Sequence, residues 1–510
     1  MEDYVEVWVD GEKVQVERGI KVGELLKRLG VSYEGQLIVG LRAVREKLMQ
    51  ESTSYVFNTN RGSFVVEVRE EVLEGWREIT PLLSRSTVRW TSAKDVGIGP
   101  FYFSSKPRMA SREWRPWDII ISVEGLELDN THLVIMKSRH ESPYALPEGF
   151  EVVGRVLRGR DVVAKLGVGD EVTSVQPLLT PSQVAGAAYR LSLEDVVAEP
   201  MEIYTRVLVK LLEEAPFGAE HFMAAVEGLG LTSSDSYSTF IRGDRLKGLP
   251  VPLENQARRV RGSVTVRVRG LNKGSIYVYK QARPSSSHHS VVGFVERGME
   301  LIDMAKPGDF IAVDTSPRRL SLLGLTQGEA SKLLAEVGVE HVRSGSTGDD
   351  DIVVEQNPKL TFQVLSQGRV ETFGASRSKV LKVKLYYEEA PRTVWYFKAL
   401  TGLMYSRVGR LKVYFADPSI GFVLFEGNRE LAGGLLPENN PQGKVAPFTI
   451  GVTNMSKRFV GLVGIRLSES NSYGPTGEDF RGTNMVGEVV GGLEAIKGVK
   501  DGSSVYVMEV

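Results

Sequence analysis

The chain has 510 residues, 63 Lys and Arg against 64 Asp and Glu, a formal net charge of -1 and no cysteine. Single hydrophobic cores stop growing near ~250 to 300 residues, so we expect several domains. The missing cysteine excludes disulfides, thiolate zinc sites, cysteine nucleophiles and self-ligated iron-sulfur clusters, and the balanced charge gives no general attraction to nucleic acid.

Residues 1–60 predict a hairpin, a helix and a strand. Alternating valines flank Asp10-Gly11, a strong hairpin signal, and apolar residues at helical spacing follow between Val22 and Leu29. This start resembles the β-grasp fold of small sulfur carriers, but a carrier needs a free Gly-Gly end, and here the chain continues. We therefore expect a structural or docking module. The N-terminus has no signal-peptide pattern and no ~18-residue apolar run follows, which predicts a cytoplasmic protein without membrane contact.

Three stretches repeat a pattern of glycines without a gap. They read VVGRVLRGRDVVAKLGVGDEV from Val152, VVGFVERGMELIDMAKPGDFI from Val291 and MVGEVVGGLEAIKGVKDGSSV from Met485. Each predicts a strand, a glycine turn, a short helical turn and a closing strand.

Further upstream, EEAPFGAEHFMAAVEGL and EEAPRTVWYFKALTGL both follow a predicted strand and place a proline where a helix begins. With an eroded first copy, the repeats predict barrels over 62–178, 198–317 and 378–510. Residues 318–377 read as a small α/β spacer module.

The third copy resembles the cyclophilins, the barrel-shaped peptidyl-prolyl isomerases, through EEAPRTVWYFKAL, GFVLFEGN and VVGGLEAIKGV. It is similar also to small prokaryotic cyclophilin-like proteins, which carry Phe-Gly-Pro-Thr-Pro where this chain has Tyr473-Gly474-Pro475-Thr476-Gly477. The fold that the resemblance implies is mainly β with α/β elements: a β-grasp-like module followed by tandem cyclophilin-like β-barrels.

The catalytic positions of that family are degenerate in this sequence. Isomerases place an arginine beside the prolyl nitrogen, because rotation about the C–N bond has a barrier of ~18 to 20 kcal/mol. The family's Phe-His-Arg falls on Phe415, Ala416 and Asp417, and its glutamine falls on Phe425. We therefore expect no catalytic residues, although Arg410 or Arg466 could supply a cation from another strand.

Taken whole, the chain resembles the methanogenesis marker protein 3 family, most specifically at NMSKRFVGLVGIRL, which includes Asn454, and at GPTGEDF. The resemblance implies a non-catalytic assembly or chaperone-type factor in methanogenic archaea. It implies protein partners, namely methyl-coenzyme M reductase or its activation components, and no cofactor. A peptidyl-prolyl isomerase and a small-ligand-binding barrel remain alternatives.

The predicted binding segment is the loop around Gly474-Pro475, with Tyr473 beside it and Thr476, Glu478 and Asp479 expected to point outward at a barrel mouth. A second candidate is Leu436–Asn440, which contains Asn439. His288-His289 and Asp349-Asp350-Asp351 lack metal-ligand spacing and read as solvated loops, so we expect no metal site. Local basic patches remain possible at five arginines: Arg258, Arg259, Arg261, Arg267 and Arg269.

Overall fold

The computed structural model describes residues 4–42, 53–177, 188–198, 201–228 and 230–510. They form two compact units, one of Met1–Arg42 with Ala187–Val510 and the other of Ala43–Gly186. None of the helices in these ranges is both long and apolar enough to cross a bilayer.

The chain begins with the predicted hairpin and helix. Successive residues of the hairpin alternate between solvent and core, and valines take the core positions: Val5, Val7 and Val16 are buried. The elements are β1 (Tyr4–Val9), β2 (Glu12–Glu17), α1 (Val22–Arg28) and β3 (Ile38–Arg42).

The second unit is built on one eight-stranded sheet in the order β13-β4-β5-β12-β9-β10-β7-β6, with β8 and β11 forming a separate ribbon. We call it the first barrel. The predicted module boundary at residue 60 falls within its β4–β5 hairpin. Its elements are β4 (Ser54–Thr59), β5 (Gly62–Val68), α2 (Leu73–Leu83), β6 (Thr87–Thr91), β7 (Asp95–Phe101), β8 (Pro107–Trp114), β9 (Asp118–Val123), β10 (Thr131–Met136), β11 (His140–Pro147), β12 (Gly154–Arg158), α3 (Arg160–Lys165) and β13 (Val172–Pro177).

Two strands beyond the first barrel, β14 (Ala188–Leu191) and β15 (Met201–Tyr204), complete the N-terminal sheet. Its order is β14-β3-β15-β1-β2, and β15 runs parallel to β1. The N-terminal module therefore draws strands from both sides of the first barrel in the sequence. Its β-grasp assignment stays a prediction.

The middle barrel follows directly, with the sheet order β17-β23-β16-β22-β20-β21-β19-β18. Helix α4 begins at Pro216, whose missing N–H would have no partner in a first helical turn, and it is almost entirely buried. The elements are β16 (Arg206–Leu211), α4 (Pro216–Val226), β17 (Leu231–Thr232), β18 (Asp235–Ser236), β19 (Phe240–Gly243), β20 (Ser263–Arg267), β21 (Ile276–Tyr279), β22 (His289–Arg297), α5 (Met299–Met304) and β23 (Phe310–Ser316).

A small module with a three-stranded sheet separates the middle and C-terminal barrels. Its first helix is capped reciprocally by Thr326 and Glu329. The elements are α6 (Gln327–Glu336), β24 (Glu340–Gly345), β25 (Ile352–Asn357), α7 (Thr361–Gln367) and β26 (Arg369–Ala375).

The C-terminal barrel is closed, in the order β27-β32-β30-β31-β29-β28-β33, with β33 parallel to β27. Apolar side chains fill its interior. Its elements are β27 (Val380–Leu385), α8 (Pro391–Thr401), β28 (Val408–Asp417), β29 (Phe422–Phe425), β30 (Thr449–Thr453), β31 (Val463–Arg466), β32 (Thr483–Gly491) and β33 (Ser504–Glu509).

The three barrels share one strand order. The run β27-β32-β30-β31-β29 corresponds to β16-β22-β20-β21-β19 in the middle barrel and to β5-β12-β9-β10-β7 in the first. In each barrel a helix follows the first of these strands. The prediction of a mainly β chain with repeated barrel-like sheets is confirmed.

The repeated glycines are required by backbone geometry. Gly159, Gly298 and Gly492 have φ angles of 73°, 86° and 72°, a left-handed conformation that L side chains rarely adopt. A Cβ at any of the three would also collide with the backbone of the neighbouring first strand. The repeated glycines therefore mark the point in each barrel where the chain passes close to the backbone of the first strand.

Candidate binding face of the C-terminal barrel

The position expected to carry the isomerase arginine holds a carboxylate engaged in a turn. Asp417 ends β28, and its Oδ1 accepts hydrogen bonds from the Ser419 N–H at 2.9 Å and the Ser419 hydroxyl at 2.7 Å. These bonds lower the pKa of Asp417, because they stabilise its charged form. The carboxylate can only accept at neutral pH and offers no proton to an amide nitrogen.

The other two degenerate positions carry phenylalanines, which offer a substrate no hydrogen-bond donor. Phe425 is fully buried among the core side chains of the barrel, and Phe415 is half-buried opposite Leu424. A glutamine at position 425 would therefore enter the core and not the surface.

The two alternative arginines lie in different places. The Arg410 guanidinium donates to the Ser504 hydroxyl at 2.8 Å and pairs with Glu355 of the small module at 3.2 Å. Arg466 instead lies on the outer face of strands β29–β31, which we call the outer wall. It is opposite Phe422 in the strand register, with its guanidinium 5.7 Å from the centre of that ring. It is only 7% exposed and donates to the Ser468 carbonyl at 3.0 Å.

The outer wall beside Arg466 is floored by two glycines. Strands β30 and β31 turn their branched side chains into the core, which leaves Gly451 and Gly464 on the outside and directly opposite each other. Isolated glycines within strands mark places where another backbone approaches closely. Gly451 and Gly464 were therefore a visible sequence signal for this site, and the predicted binding segments did not include them.

The backbone that approaches is the chain's own Gly-Pro-Thr segment. A Cβ on Gly451 would lie 3.0 Å from the ring carbons of Pro475, and one on Gly464 would overlap the Pro475 carbonyl. The segment continues to Gly477, which lies against the Phe422 ring. Residues 474–476 are buried, so the barrel carries a proline of its own chain on this wall.

The side chains around Pro475 correct one expectation. Thr476 does not point outward: it is 4% exposed and its hydroxyl lies 2.8 Å from that of Thr483 on β32. Asp479 is exposed and pairs with Lys457 at 2.7 Å, and the half-buried Glu478 lies 3.7 Å from the same lysine. Tyr473 is exposed, and the segment that follows it lies against Gly451 and Gly464 of the outer wall.

A buried amide network holds the second candidate loop. The Asn484 Oδ1 accepts from the Glu438 N–H and the Asn454 Nδ2, both at 3.0 Å, while its Nδ2 donates to the Leu436 carbonyl at 2.9 Å. Asn454 is fully buried, and Asn439 donates to the Met485 carbonyl at 3.3 Å. These asparagines fix the loop against the barrel.

That loop places Glu438 at the start of α8. Its carboxylate accepts from the backbone N–H groups of Arg392 at 3.3 Å and Thr393 at 2.9 Å, at the positive end of α8. In the middle barrel, Glu254 accepts from Phe217 at 3.1 Å and Gly218 at 2.8 Å at the start of α4. The matching segments PLEN and LPEN were a repeat that sequence reasoning could have found.

The paired histidines occupy the middle barrel. His289 is buried, its Nδ1 lies 3.0 Å from the Thr265 hydroxyl, and its Nε2 lies 3.3 Å from Arg267 Nη1. Burial and the neighbouring arginines lower the pKa of His289 to about 3, so the ring is neutral. His288 is exposed. No cluster of three metal-ligating side chains occurs within the described ranges.

A concave region of about 780 Å³ lies where the middle barrel, the small module and the C-terminal barrel meet. On its wall, His221 Nδ1 lies 2.7 Å from the Tyr405 hydroxyl and its Nε2 lies 2.7 Å from the Gly274 carbonyl. The buried Arg319 pairs with Glu220 at 2.6 Å. These polar groups satisfy one another.

The fold defines a class: chains that repeat one strand order in three successive sheets, the last of which closes into a barrel. Residues 381–510 match a family model described as "Putative peptidyl-prolyl cis-trans isomerase domain". Among solved structures, a cyclophilin from Hirschia baltica is 13% identical with a TM-score of 0.20, covering 30% of this chain and 82% of that one. A cyclophilin-type isomerase from Cryptosporidium parvum is 9% identical with a TM-score of 0.18, covering 24% and 96%.

Relatives extend over nearly the full length. A UPF0288 protein of Methanothermobacter thermautotrophicus is 37% identical over 99% of this chain and 97% of its own length. Those of Methanopyrus kandleri and Methanococcus aeolicus are 36% and 33% identical, covering 99% and 98% of this chain and 99% of each relative. The chain belongs to the UPF0288 family of methanogenic archaea.

Proposed function

We propose that this chain is a non-catalytic, protein-binding assembly factor of methanogens. The observation that supports this best is the outer wall of the C-terminal barrel, where the chain's own Gly474–Thr476 segment is buried against Gly451 and Gly464. A wall that already carries a proline segment is less available to a passing substrate than an open groove.

The charge at the expected catalytic position supports the same proposal. Isomerisation is accelerated when a fixed donor stabilises the prolyl nitrogen as the C–N bond loses double-bond character. Asp417 supplies an acceptor in place of that donor and is held in its own turn by Ser419.

The setting is proposed from the family. All three relatives described above come from methanogenic archaea, and the sequence resembles the methanogenesis marker protein 3 family. We take the partners to be methyl-coenzyme M reductase or the components that activate it, and the site of action to be the cytoplasm. The β-grasp-like module would add a further docking element.

The partner proposal is tested by affinity capture from a methanogen lysate with the full-length chain as bait. We expect enrichment of reductase subunits or activation components over a capture with an unrelated tagged protein. Enrichment of neither class would contradict the assignment.

Arg466 favours one second candidate, a residual prolyl isomerase. It is a cation on the same wall as Phe422, with its guanidinium 5.7 Å from the centre of that ring. An assay of the full-length chain on a proline peptide separates the two: we expect the uncatalysed rate. A rate above background that Arg466→Met removes and Arg410→Met keeps would establish the isomerase in its place.

A small-ligand role has one supporting feature, the concave region lined by His221 and Tyr405. It predicts that a metabolite extract raises the unfolding temperature of the purified chain without any protein partner. We rank it third, because the polar groups on that wall already pair with one another.

A further inference from the structure

The concave region between the middle barrel, the small module and the C-terminal barrel exposes two phenylalanine side chains. Phe217 on the first turn of α4 is 52% exposed, and Phe373 on β26 is 42% exposed. Among the residues that the structure describes, Phe459 is the only other exposed phenylalanine. The exposed Pro250 and Pro252 extend the same apolar lining. Covering such rings with an apolar ligand is favourable, because it removes their surface from water.

Helix α4 differs from its counterpart α8 on the side that faces this region. The two helices begin PFGAEHF and PRTVWYF, and they share the proline at the helix start and the phenylalanine that enters each barrel core. Three of the five positions that differ line the concave region, and in α4 they carry Phe217, Glu220 and His221. The middle barrel has thus kept the structural residues of the helix and changed those that face the region.

A buried ion pair holds the base of the region together. The Glu220 carboxylate accepts from Arg319 Nε at 2.6 Å and from the Thr361 N–H at 2.9 Å, at the start of α7. The Arg319 side chain is only 8% exposed. A ligand that meets walls already fixed in this way orders few side chains on binding, which favours the binding of a small molecule.

One polar group on the wall keeps the capacity to accept a hydrogen bond. The Gly274 carbonyl can only accept, so His221 Nε2 carries the proton of their 2.7 Å contact. Burial lowers the pKa of His221 to about 4, so the ring is neutral at pH 7 and its Nδ1 is an acceptor. The Tyr405 hydroxyl therefore donates to Nδ1 at 2.7 Å. Its oxygen retains a lone pair for the N–H or O–H of a ligand, and Tyr405 lines the region.

The charges that line the region cancel. Two of its bases pair with two of its acids, Arg319 with Glu220 at 2.6 Å and Arg410 with Glu355 at 3.2 Å. Lys359 and Glu371 add one charge of each sign. The region therefore has no net field that would favour an anion or a cation, and an uncharged ligand fits it best.

We propose that the concave region binds an uncharged aromatic small molecule that carries an N–H or O–H donor. The rings of Phe217 and Phe373 contact its apolar surface, and the Tyr405 oxygen accepts its donor. The volume of about 780 Å³ lies within the range of small-molecule sites, ~300 to 1,000 Å³. This site rests on the small-ligand role proposed above for the region, to which it adds the class of ligand.

The test titrates the full-length chain with three probes of related shape, followed by ligand-observed NMR. Indole has a ring N–H, benzofuran has an oxygen in the same place, and indole-3-acetate adds a negative charge. We expect saturable binding of indole, with benzofuran about fivefold weaker because it lacks the donor. Indole-3-acetate should not bind more tightly than indole. This comparison needs no variant of the chain.

Two substitutions locate the binding. Tyr405→Phe should lower the affinity for indole to that for benzofuran and leave the affinity for benzofuran unchanged, because it removes the acceptor and keeps the ring. Phe217→Ser should weaken both probes by at least about threefold, since it removes an apolar contact. The matched control is Phe459→Ser, at the exposed phenylalanine of the C-terminal barrel, which should change neither affinity.

Four outcomes would overturn the proposal: indole does not bind, indole and benzofuran bind alike, indole-3-acetate binds more tightly than indole, or Phe459→Ser weakens binding as much as Phe217→Ser. If the uncharged peptide Gly-Phe-Gly amide binds more tightly than indole and loses affinity in Phe217→Ser, the region is a protein-docking surface instead. The lysate capture uses no small molecule, so a failure here leaves the proposed assembly role to be judged separately.

Discussion

The middle and C-terminal barrels have the same strand order and the same helix cap, yet they finish one outer wall in opposite ways. The C-terminal barrel keeps two glycines and lays Pro475 on them, whereas the middle barrel has Thr265 and Tyr277 at those positions. Thr265 and Tyr277 are themselves buried, so the same wall is finished with a segment of main chain in one copy and with larger side chains in the other. The residues that decide this are few and lie outside the core.

The largest expected effect comes from breaking the contact between Pro475 and its glycine floor. In Gly464→Ala the new methyl group would overlap the Pro475 carbonyl, so either the segment or the strand must shift. We expect the C-terminal barrel to lose about 3 kcal/mol of unfolding free energy, as for overpacked cores. Urea unfolding, monitored through hydrogen exchange of the backbone amides of β30–β32, measures this loss of stability.

The matched control for that substitution is Gly433→Ala. Gly433 is an exposed turn glycine without a left-handed φ angle, and a Cβ there would lie 3.4 Å from the nearest atom, the Glu430 carbonyl oxygen. It should change the stability by less than about 0.5 kcal/mol. Equal effects of the two variants would show that Pro475 does not depend on the glycine floor.

Acid should separate the two barrels by a smaller amount for each group that titrates. Burial lowers the pKa of His221 to about 4, and burial with nearby Arg259 and Arg267 lowers that of His289 to about 3, while residues 380–510 contain no histidine. Because both folded values lie below the ordinary value near 6.5, the unfolded state binds more protons as the pH falls. Stability is full above pH 6.5 and declines towards pH 4, by about 2 kcal/mol per histidine at pH 5.

Hydrogen exchange at pH 7 and pH 5, corrected for intrinsic rates, measures that difference. Amides of α4 and β20–β22 should lose protection, and those of β30–β32 should keep it. His289→Asn should reduce the loss, and His288→Asn, at the exposed neighbour, should leave it unchanged. Equal loss in both barrels would assign the acid sensitivity to carboxylates instead.

Much of the architecture was predictable because backbone constraints leave marks in sequence. The glycines at 159, 298 and 492 and the prolines that begin α4 and α8 are required by local geometry, so they repeat visibly. The orientation of Thr476 was not predictable, since it depends on which wall the hairpin lies against. The sharing of β15 with the N-terminal sheet depends on pairing across more than 150 residues, which no local pattern encodes.

The smallest expected effect sharpens the likeness between the two barrels. Glu438→Gln and Glu254→Gln each keep a side chain of the same shape but remove the negative charge at the start of α8 and α4. We expect each to cost about 1 kcal/mol, because a charged acceptor at a helix N-terminus is stronger than a neutral one. Glu430→Gln, at an exposed glutamate, should be neutral. Urea unfolding measures both cap variants. Similar losses of stability would mean that the two copies kept the cap while their outer walls diverged. A loss in only one variant would mean that the helix starts have diverged too.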